Sequence, residues 1–240
     1  MAVDLIRPWA ISGHVSNGCW RLEGLGRPFA GRALIAMLVE TKEAKKITDQ
    51  LQRDGFGVFP KFLGLHDLTQ AREDLQALQK SGRFHPAGTG KSGARVVNER
   101  VRGDEIFWLE SPGQNSVQAG LLKCLEALRD SFNQALFLGL KEVEAHYASY
   151  PKGGSYTRHL DCFRDRQDDV RVVSFILYLN EDWKVGDGGE LRIFMPDATS
   201  QDIAPLGGQL VCFMSRDFEH EVLMSNRPRL SLSGWFKREH

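Results

Sequence analysis

The chain lacks most of the features that settle a protein's class at a glance. It has only four cysteines, Cys19, Cys124, Cys162 and Cys212, and no two form a C-x-x-C pair. Neither a zinc ribbon nor a thioredoxin-like redox site is indicated. Cys124 and Cys212 lie inside apolar runs and read as small core residues. Such a pattern suits a reducing compartment and gives the expectation of a cytoplasmic protein. An excess of charge of one sign is also missing: 31 Lys and Arg stand against 31 Asp and Glu, a formal net charge of zero. That balance excludes a strongly basic nucleic-acid or membrane-surface protein, though not a local basic patch. No stretch approaches the roughly 18 apolar residues of a membrane span. The N-terminus carries Asp4 early and no long apolar region, so it does not read as a signal peptide. Internal repeats and low-complexity tracts are absent.

What is present is a chain of 240 residues, 42% hydrophobic and 26% charged. This is too apolar and too balanced for disorder, and long enough to bury a core without disulfide or metal staples. Residues 1–36 are rich in Gly, Arg and Trp and show no sustained period. They are expected to form a flexible, dispensable extension, with a compact domain over 37–240 and Met37 as an alternative start. From there the periodicity predicts a helix over 42–53, capped by Thr41 and stopped by Gly55, with Ala44, Ile47 and Leu51 on one stripe. GVFPKFL reads as a strand. A second helix spans 65–80, with Leu68, Ala71, Leu75 and Leu78 on one face. Residues 81–100 read as a polar, Gly-rich mobile loop, 106–110 as a short strand and 117–138 as a long amphipathic helix.

From Glu142 onward the texture changes. VEAHYASY, RVVSFILYLN, GELRIFM, GGQLVCFM, HEVLM and RLSLSGWF read as strands separated by Gly, Pro, Asp and Asn turns. Helices followed by strands predict an α+β fold, a double-sheet (jelly-roll) barrel backed by the N-terminal helices.

The strand half carries the chemistry. His159-Leu160-Asp161 is an H-x-D, and alternation along a strand would point both side chains at one spot. His220, at the start of a later strand, supplies a third ligand. Two histidines and a carboxylate make the facial triad of non-haem Fe(II) oxygenases, in which the ion keeps open positions. A lone H-x-D is more often a surface turn. Support lies nine residues beyond His220, where Arg229 opens RLSLSGWF. Arg229, Ser231, Ser233 and Trp235 share one face of that strand, and Leu230, Leu232 and Phe236 share the other. The second set is a core stripe. The first puts a guanidinium inside the barrel, where it needs an anion, and a planar fork suits a carboxylate. A protein Asp or Glu, or an exposed position on the barrel rim, is the plainer reading of Arg229. With the triad present, the distal carboxylate of 2-oxoglutarate is the better partner. Plain readings hold elsewhere. His14, His66, His85 and His240 are expected at the surface, 164–169 as a solvated loop and LNEDW as a turn. His146 and Tyr147 have no special claim.

At these residues the chain resembles the 2-oxoglutarate/Fe(II)-dependent dioxygenases. It is most similar to their prolyl 4-hydroxylase branch, the oxygen-sensing HIF prolyl hydroxylases and their bacterial relatives. GFGVFPKFLG, VRGDEIFWLE, YPKGGSYTRHLD, LYLNEDW, GGELRIF, HEV and the last S-x-S-G-W-F strand carry the resemblance. It covers about 42–239. The resemblance implies a double-stranded β-helix, with His159, Asp161 and His220 as iron ligands and Arg229 on the C5 carboxylate of 2-oxoglutarate. Tyr178 would bond the same carboxylate, and Ser233 would keep the hydroxyl of the family's common threonine. Tyr150 would be the active-site tyrosine before the H-x-D, in a segment about one residue shorter than in the HIF enzymes. Arg102, Asp104, Arg171 and Trp235 fall on the substrate side, with Arg171 expected to pair with Asp104 when the mobile loop closes over a peptide. The implied cofactors are Fe(II) and 2-oxoglutarate, with ascorbate as an optional third. The implied reaction is hydroxylation of a prolyl residue at C4, coupled to conversion of 2-oxoglutarate and O₂ into succinate and CO₂. The implied partner is a protein carrying the target proline. Among bacterial relatives elongation factor Tu is such a substrate, which makes it the candidate here. An oxygenase of free small molecules, an oxygenase of nucleic acid (disfavoured by the zero net charge) and a non-catalytic iron or 2-oxoglutarate sensor are the alternatives.

Overall fold

A computed structural model of the chain describes residues 42–88, 101–162 and 170–239. The expectations for 1–36, for the cap at Thr41, for His14 and His240, for most of the 81–100 loop and for 164–169 lie outside those residues.

Helix α1 spans Lys42–Asp54. Gly55 ends it in the left-handed region (φ +73°), where its N–H bonds the Leu51 carbonyl at 2.9 Å. The strand expected through GVFPKFL is short: β1 covers Phe56–Phe59. Pro60 has no N–H to give a ladder, and Lys61 turns left-handed (φ 60°). Helix α2 covers Leu65–Lys80 and buries Leu68, Ala71 and Leu75, with Leu78 packed against the same core. Strand β2 is His85–Pro86 and β3 is Glu105–Leu109. Helix α3, Ser116–Leu136, begins where the Asn115 side chain accepts from the Gln118 N–H at 3.0 Å. It ends at Phe137, whose left-handed φ of 54° stops it two residues before the sequence suggests.

Eight strands follow: β4 Glu142–Tyr150, β5 Tyr156–His159, β6 Arg171–Tyr178, β7 Leu191–Phe194, β8 Ser200–Ile203, β9 Leu210–Met214, β10 His220–Val222 and β11 Arg229–Lys237. Two of them are missed by the sequence pattern: β8 altogether, and β5, of which only the H-x-D at its end reads as strand. Each lies at the edge of its sheet, and β8 reads Ser-Gln-Asp-Ile with only Ile203 buried, so neither shows an alternating apolar pattern. The strands form a seven-stranded sheet, β1-β9-β6-β11-β4-β3-β2, facing a four-stranded sheet, β5-β10-β7-β8. All pairings are antiparallel. This is the double-stranded β-helix expected, with helices behind the larger sheet.

Side-chain alternation splits the larger sheet. Ala145 and Tyr147 of β4, Val173, Phe175 and Leu177 of β6, and Leu230, Leu232 and Phe236 of β11 pack with Ile47, Leu75, Leu125 and Phe132 from the helices. One half-buried polar knot ties the layers. Asp74 of α2 accepts from the Tyr147 hydroxyl, from Asn115 Nδ2 and from Gln118 Nε2. Its alternate positions turn the other way, into the space between the sheets.

Candidate active site

That space is a cleft of about 520 Å³, counting the open solvent at its mouth. Ladder register orders its contents in levels along the barrel. Arg229 lies opposite Tyr150; Ser231 opposite Ala148 and Tyr178; Ser233 opposite His146 and Ile176; Trp235 opposite Ser174.

The triad forms on the smaller sheet. His220 of β10 pairs directly with His159 of β5, and the two rings stand 4.2 Å apart, centroid to centroid. The strand argument for Asp161 needs correcting. Strand β5 ends at His159 and Asp161 sits in a bend, so parity along a strand does not aim its carboxylate. The carboxylate still reaches the same spot: Oδ1 lies 3.6 Å from His159 Nε2 and Oδ2 lies 3.7 Å from His220 Nε2. One ligand atom from each residue falls within 4.8 Å of the others.

The protonation pattern suits a cation. His159 Nδ1 faces the Thr157 carbonyl at 2.8 Å and His220 Nδ1 faces the Phe218 carbonyl at 3.2 Å. A carbonyl only accepts, so each Nδ1 carries the proton and each Nε2 keeps its lone pair for the site. Burial pushes His220 down to about 4, which keeps the ring neutral at pH 7. Burial alone would raise the Asp161 carboxyl. The His220 and His159 imidazoles and the Ser174 hydroxyl outweigh it and hold the group well below the usual carboxylate range. Two imidazoles presenting Nε2 and one carboxylate, converging at the wall of an open cleft, fit a divalent ion with vacant positions.

Arg229 closes the inner end of the cleft. It is 2% exposed, and its Nε donates to the Gly189 carbonyl at 2.9 Å. Gly189 is left-handed (φ +69°), and a Cβ there would come within 3.2 Å of Arg229 Cδ. The guanidinium lies 5.1 Å from the Tyr150 ring centre and 5.0 Å from that of Tyr178. Among the described residues no Asp or Glu forms an ion pair with it, so the plainer reading of this arginine loses its partner. The neighbouring Tyr178 hydroxyl is fully buried and, among the described residues, meets no partner at good hydrogen-bond geometry, the Arg229 guanidinium being the polar group beside it. Burial raises both tyrosines, so their hydroxyls stay protonated. A fork and a neighbouring hydroxyl, shielded from water at one end of a cleft with a metal site on its wall, fit the distal carboxylate of 2-oxoglutarate. Ser233 also lines the cleft, its Oγ 3.0 Å from Ser231 Oγ.

The substrate-side expectations fare unevenly. Arg102, Asp104 and Trp235 line the cleft. The expected pairing of Arg171 with Asp104 is not what the structure holds. Asp104 is engaged by Arg102 through two bonds, Nε to Oδ1 at 2.6 Å and Nη2 to Oδ2 at 2.9 Å. Arg171 instead lies over the Trp235 ring at 3.7 Å and donates to the Asp161 carbonyl at 3.2 Å. Two residues apart on one extended segment, Arg102 reaches Asp104 without any loop movement, so the carboxylate is already satisfied. Arg102 also covers the Tyr156 ring at 4.9 Å, and Tyr156 stacks on His159 at 3.7 Å.

Sequence reasoning passed over several residues that line the cleft. His146, given no claim, sits 4.7 Å from Trp108 and 5.7 Å from Trp235, ring to ring. The signal existed, because His146 shares parity with Tyr150. Tyr147 is correctly left out, since it faces the helices. Ser174 was overlooked too, although it shares parity with Tyr178. His66 and His85 are exposed, as expected. LNEDW bends at 181–182, and its Asn180 ties two distant segments, accepting from the Leu230 N–H at 2.7 Å and donating to the Pro205 carbonyl at 2.8 Å.

Comparison with known proteins agrees with this geometry. The sequence model of the 2OG-Fe(II) oxygenase superfamily matches residues 145–237. Egl nine homolog 1 of Homo sapiens is 32% identical over 196 residues, 78% of this chain and 44% of the human protein. The chain thus spans about half the length of the curated relatives it matches. A prolyl-4-hydroxylase of Pseudomonas putida is 40% identical, with a TM-score of 0.74 over 82% of this chain and 100% of that one. A prolyl hydroxylase of Trichoplax adhaerens, solved with a hypoxia inducible factor oxygen degradation domain peptide fragment, is 26% identical with a TM-score of 0.71. It is covered over 96% of its length by 84% of this chain. With the triad and the buried arginine in place, the chain belongs to the 2-oxoglutarate- and Fe(II)-dependent oxygenase superfamily, among its prolyl 4-hydroxylases.

Proposed function

We propose that this protein hydroxylates a prolyl residue within a protein segment, consuming 2-oxoglutarate and O₂. The observation that carries the reading is the presence of two ligand-seeking groups in one cleft: the His159, Asp161 and His220 triad, and the buried Arg229, which no described Asp or Glu engages. A 2-oxo dicarboxylate offers a chelating end to the first and a carboxylate to the second. Fe(II) held by the triad, with 2-oxoglutarate bound, supplies the oxidising chemistry. The protein's own tasks are positional. Arg229 and Tyr178 anchor the distal carboxylate. Tyr150, with its hydroxyl kept protonated by burial, is a donor beside them. Trp235 and Tyr156 wall the cleft with rings that exclude water and give an apolar prolyl ring a surface, and Trp108 packs behind Trp235 at 6.3 Å, ring to ring. No protein nucleophile or general base is required.

A protein rather than a free small molecule is favoured by the relatives, of which the Trichoplax enzyme was solved with a peptide fragment. Elongation factor Tu is the candidate substrate, on the strength of the resemblance to bacterial enzymes and the 40% identity to the Pseudomonas one. A cytoplasmic setting belongs to the same proposal. Turnover of 2-oxoglutarate to succinate, stimulated by a proline-containing protein, tests the reaction. Mass spectrometry of elongation factor Tu from cells with and without the enzyme tests the substrate. A prolyl +16 shift confined to cells with the enzyme is expected, and identical patterns rule that substrate out.

A further inference from the structure

Asp161 is the triad member that no strand aims. It lies past the end of β5, and the next described residue after Cys162 is Val170. Both histidines are fixed twice, by strand pairing and by a carbonyl on Nδ1. The carboxylate needs another source of orientation, and the larger sheet provides one. Ser174 of β6 donates its Oγ–H to Asp161 Oδ2 at 2.7 Å. Its Oγ also lies 2.9 Å from Ser215 Oγ. A serine has one hydroxyl proton, and an ionised carboxylate can only accept. The Ser174 proton therefore goes to Asp161, and Ser215 must be the donor to Ser174. The result is a directed chain, Ser215 to Ser174 to Asp161.

Its placement is informative. Ser174 is 2% exposed and Ser215 is fully buried, so water does not substitute for either. Ladder register puts Ser174 opposite both Trp235 and Phe213 on the inner face. Ser215 follows β9 directly, at the start of the connection that leads to His220. Its own N–H is tied to the Val172 carbonyl at 3.0 Å, which fixes the hydroxyl's origin. The chain thus links the segment bearing Asp161 to the segment bearing His220 through one hydroxyl of the opposite sheet.

We infer that Ser174, backed by Ser215, is the positioning residue that sets the Asp161 carboxylate for the metal, holding Oδ2 so that the remaining lone pairs face the two imidazoles. This rests on the triad being the metal site. Outer contacts of this kind typically change metal affinity by about 10–100-fold when removed. A hydroxyl that is itself a hydrogen-bond acceptor is also a stronger donor, which is what Ser215 adds.

The test is titration of the full chain with Mn(II), a probe that does not need turnover, with free ion read by its paramagnetic resonance. Ser174→Ala is expected to weaken binding by roughly 10-fold or more, and Ser174→Thr, which keeps the hydroxyl, to stay within about threefold of the native protein. Ser215→Ala should weaken it by a smaller factor, on the order of a few-fold, because the Ser174 bond survives. Circular dichroism establishes that each variant is folded. Should Ser174→Ala fail to fold, Ser215→Ala and Ser174→Thr carry the comparison. Binding by a folded Ser174→Ala within about twofold of native, equal weakening by Ala and Thr at position 174, or unchanged binding by Ser215→Ala overturns the inference. A His220→Ala control separates the two levels. If native protein and His220→Ala bind Mn(II) alike, the reading of the triad fails and takes the inference with it. If His220→Ala alone loses the ion, only the role of Ser174 fails.

Discussion

Strand β11 has two faces that share one backbone and obey opposite rules. On one, Leu230, Leu232 and Phe236 meet the helices in a largely apolar core. On the other, Arg229, Ser233 and Trp235 meet a cleft whose walls carry charge, hydroxyls and imidazoles. The dry face is satisfied by its own neighbours. Phe236 is fully buried, stands edge-on to Phe132 at 5.4 Å and tilts against Phe175 at 5.1 Å. The wet face is not: among the described residues the buried Tyr178 hydroxyl meets no partner at good hydrogen-bond geometry and Arg229 lacks a carboxylate. Burying polar groups unsatisfied costs free energy. A protein retains that cost where a ligand relieves it. The contrast teaches that incompleteness, more than residue type, marks the working side of this sheet.

The comparison breaks most completely at the triad. His159→Ala or His220→Ala should take Fe(II)-dependent turnover of 2-oxoglutarate down to the no-enzyme background, while the thermal melt stays cooperative, because the helix-backed core is untouched. Activity at the native level in either variant would remove the metal assignment. On the dry face, Phe236→Ala should cost about 3–5 kcal/mol of stability in denaturant titration, through lost transfer energy and a cavity. A loss of activity with no loss of stability would contradict the division of labour between the two faces.

Asp104 sharpens the contrast from another side. Its side chain is 0% exposed and its partner Arg102 is 13% exposed. Asp104→Asn strands the guanidinium, and breaking such a buried pair costs about 3–5 kcal/mol. The expected outcome is a lower melting temperature together with lost turnover, rather than a selective loss of protein substrate. Selective loss with an unchanged melt would restore the pair to substrate binding alone. The mildest change is Arg229→Lys, which keeps the charge but loses the fork. A lost charge-assisted hydrogen bond is worth about 1.5–3 kcal/mol, so the apparent KM for 2-oxoglutarate should rise by roughly 10–100-fold, with Mn(II) affinity retained. An unchanged KM would give Arg229 a purely structural role.

Much of this was legible beforehand because it rests on local rules. The core stripe of α2 follows from spacing alone, and the split of β11 follows from alternation. The triad was recognisable from residue types at known spacing, although the reason given for Asp161 was incomplete. What stayed hidden depends on pairing. Strands β5 and β8 lack an apolar alternation because each lies at the edge of its four-stranded sheet, β5 meeting only a single bridge from Arg102 on its outer side. The Arg102–Asp104 contact was not foreseen: Arg171 was expected to meet Asp104 on loop closure, whereas here a bidentate contact from Arg102, only two residues away, already holds the carboxylate.

The sequence by itself therefore determined which side chains turn inward on β4, β6 and β11, since period-two alternation is a property of the strand alone. It determined the donor set of the metal site and the presence of a buried fork. Only the tertiary structure decided what those groups face. Strand register brought His159 against His220 from opposite ends of a 61-residue separation. The opposite sheet, through Ser174, gave the Asp161 carboxylate its direction. Hydrogen-bond partners across sheets depend on which strands become neighbours, and no local pattern encodes that choice.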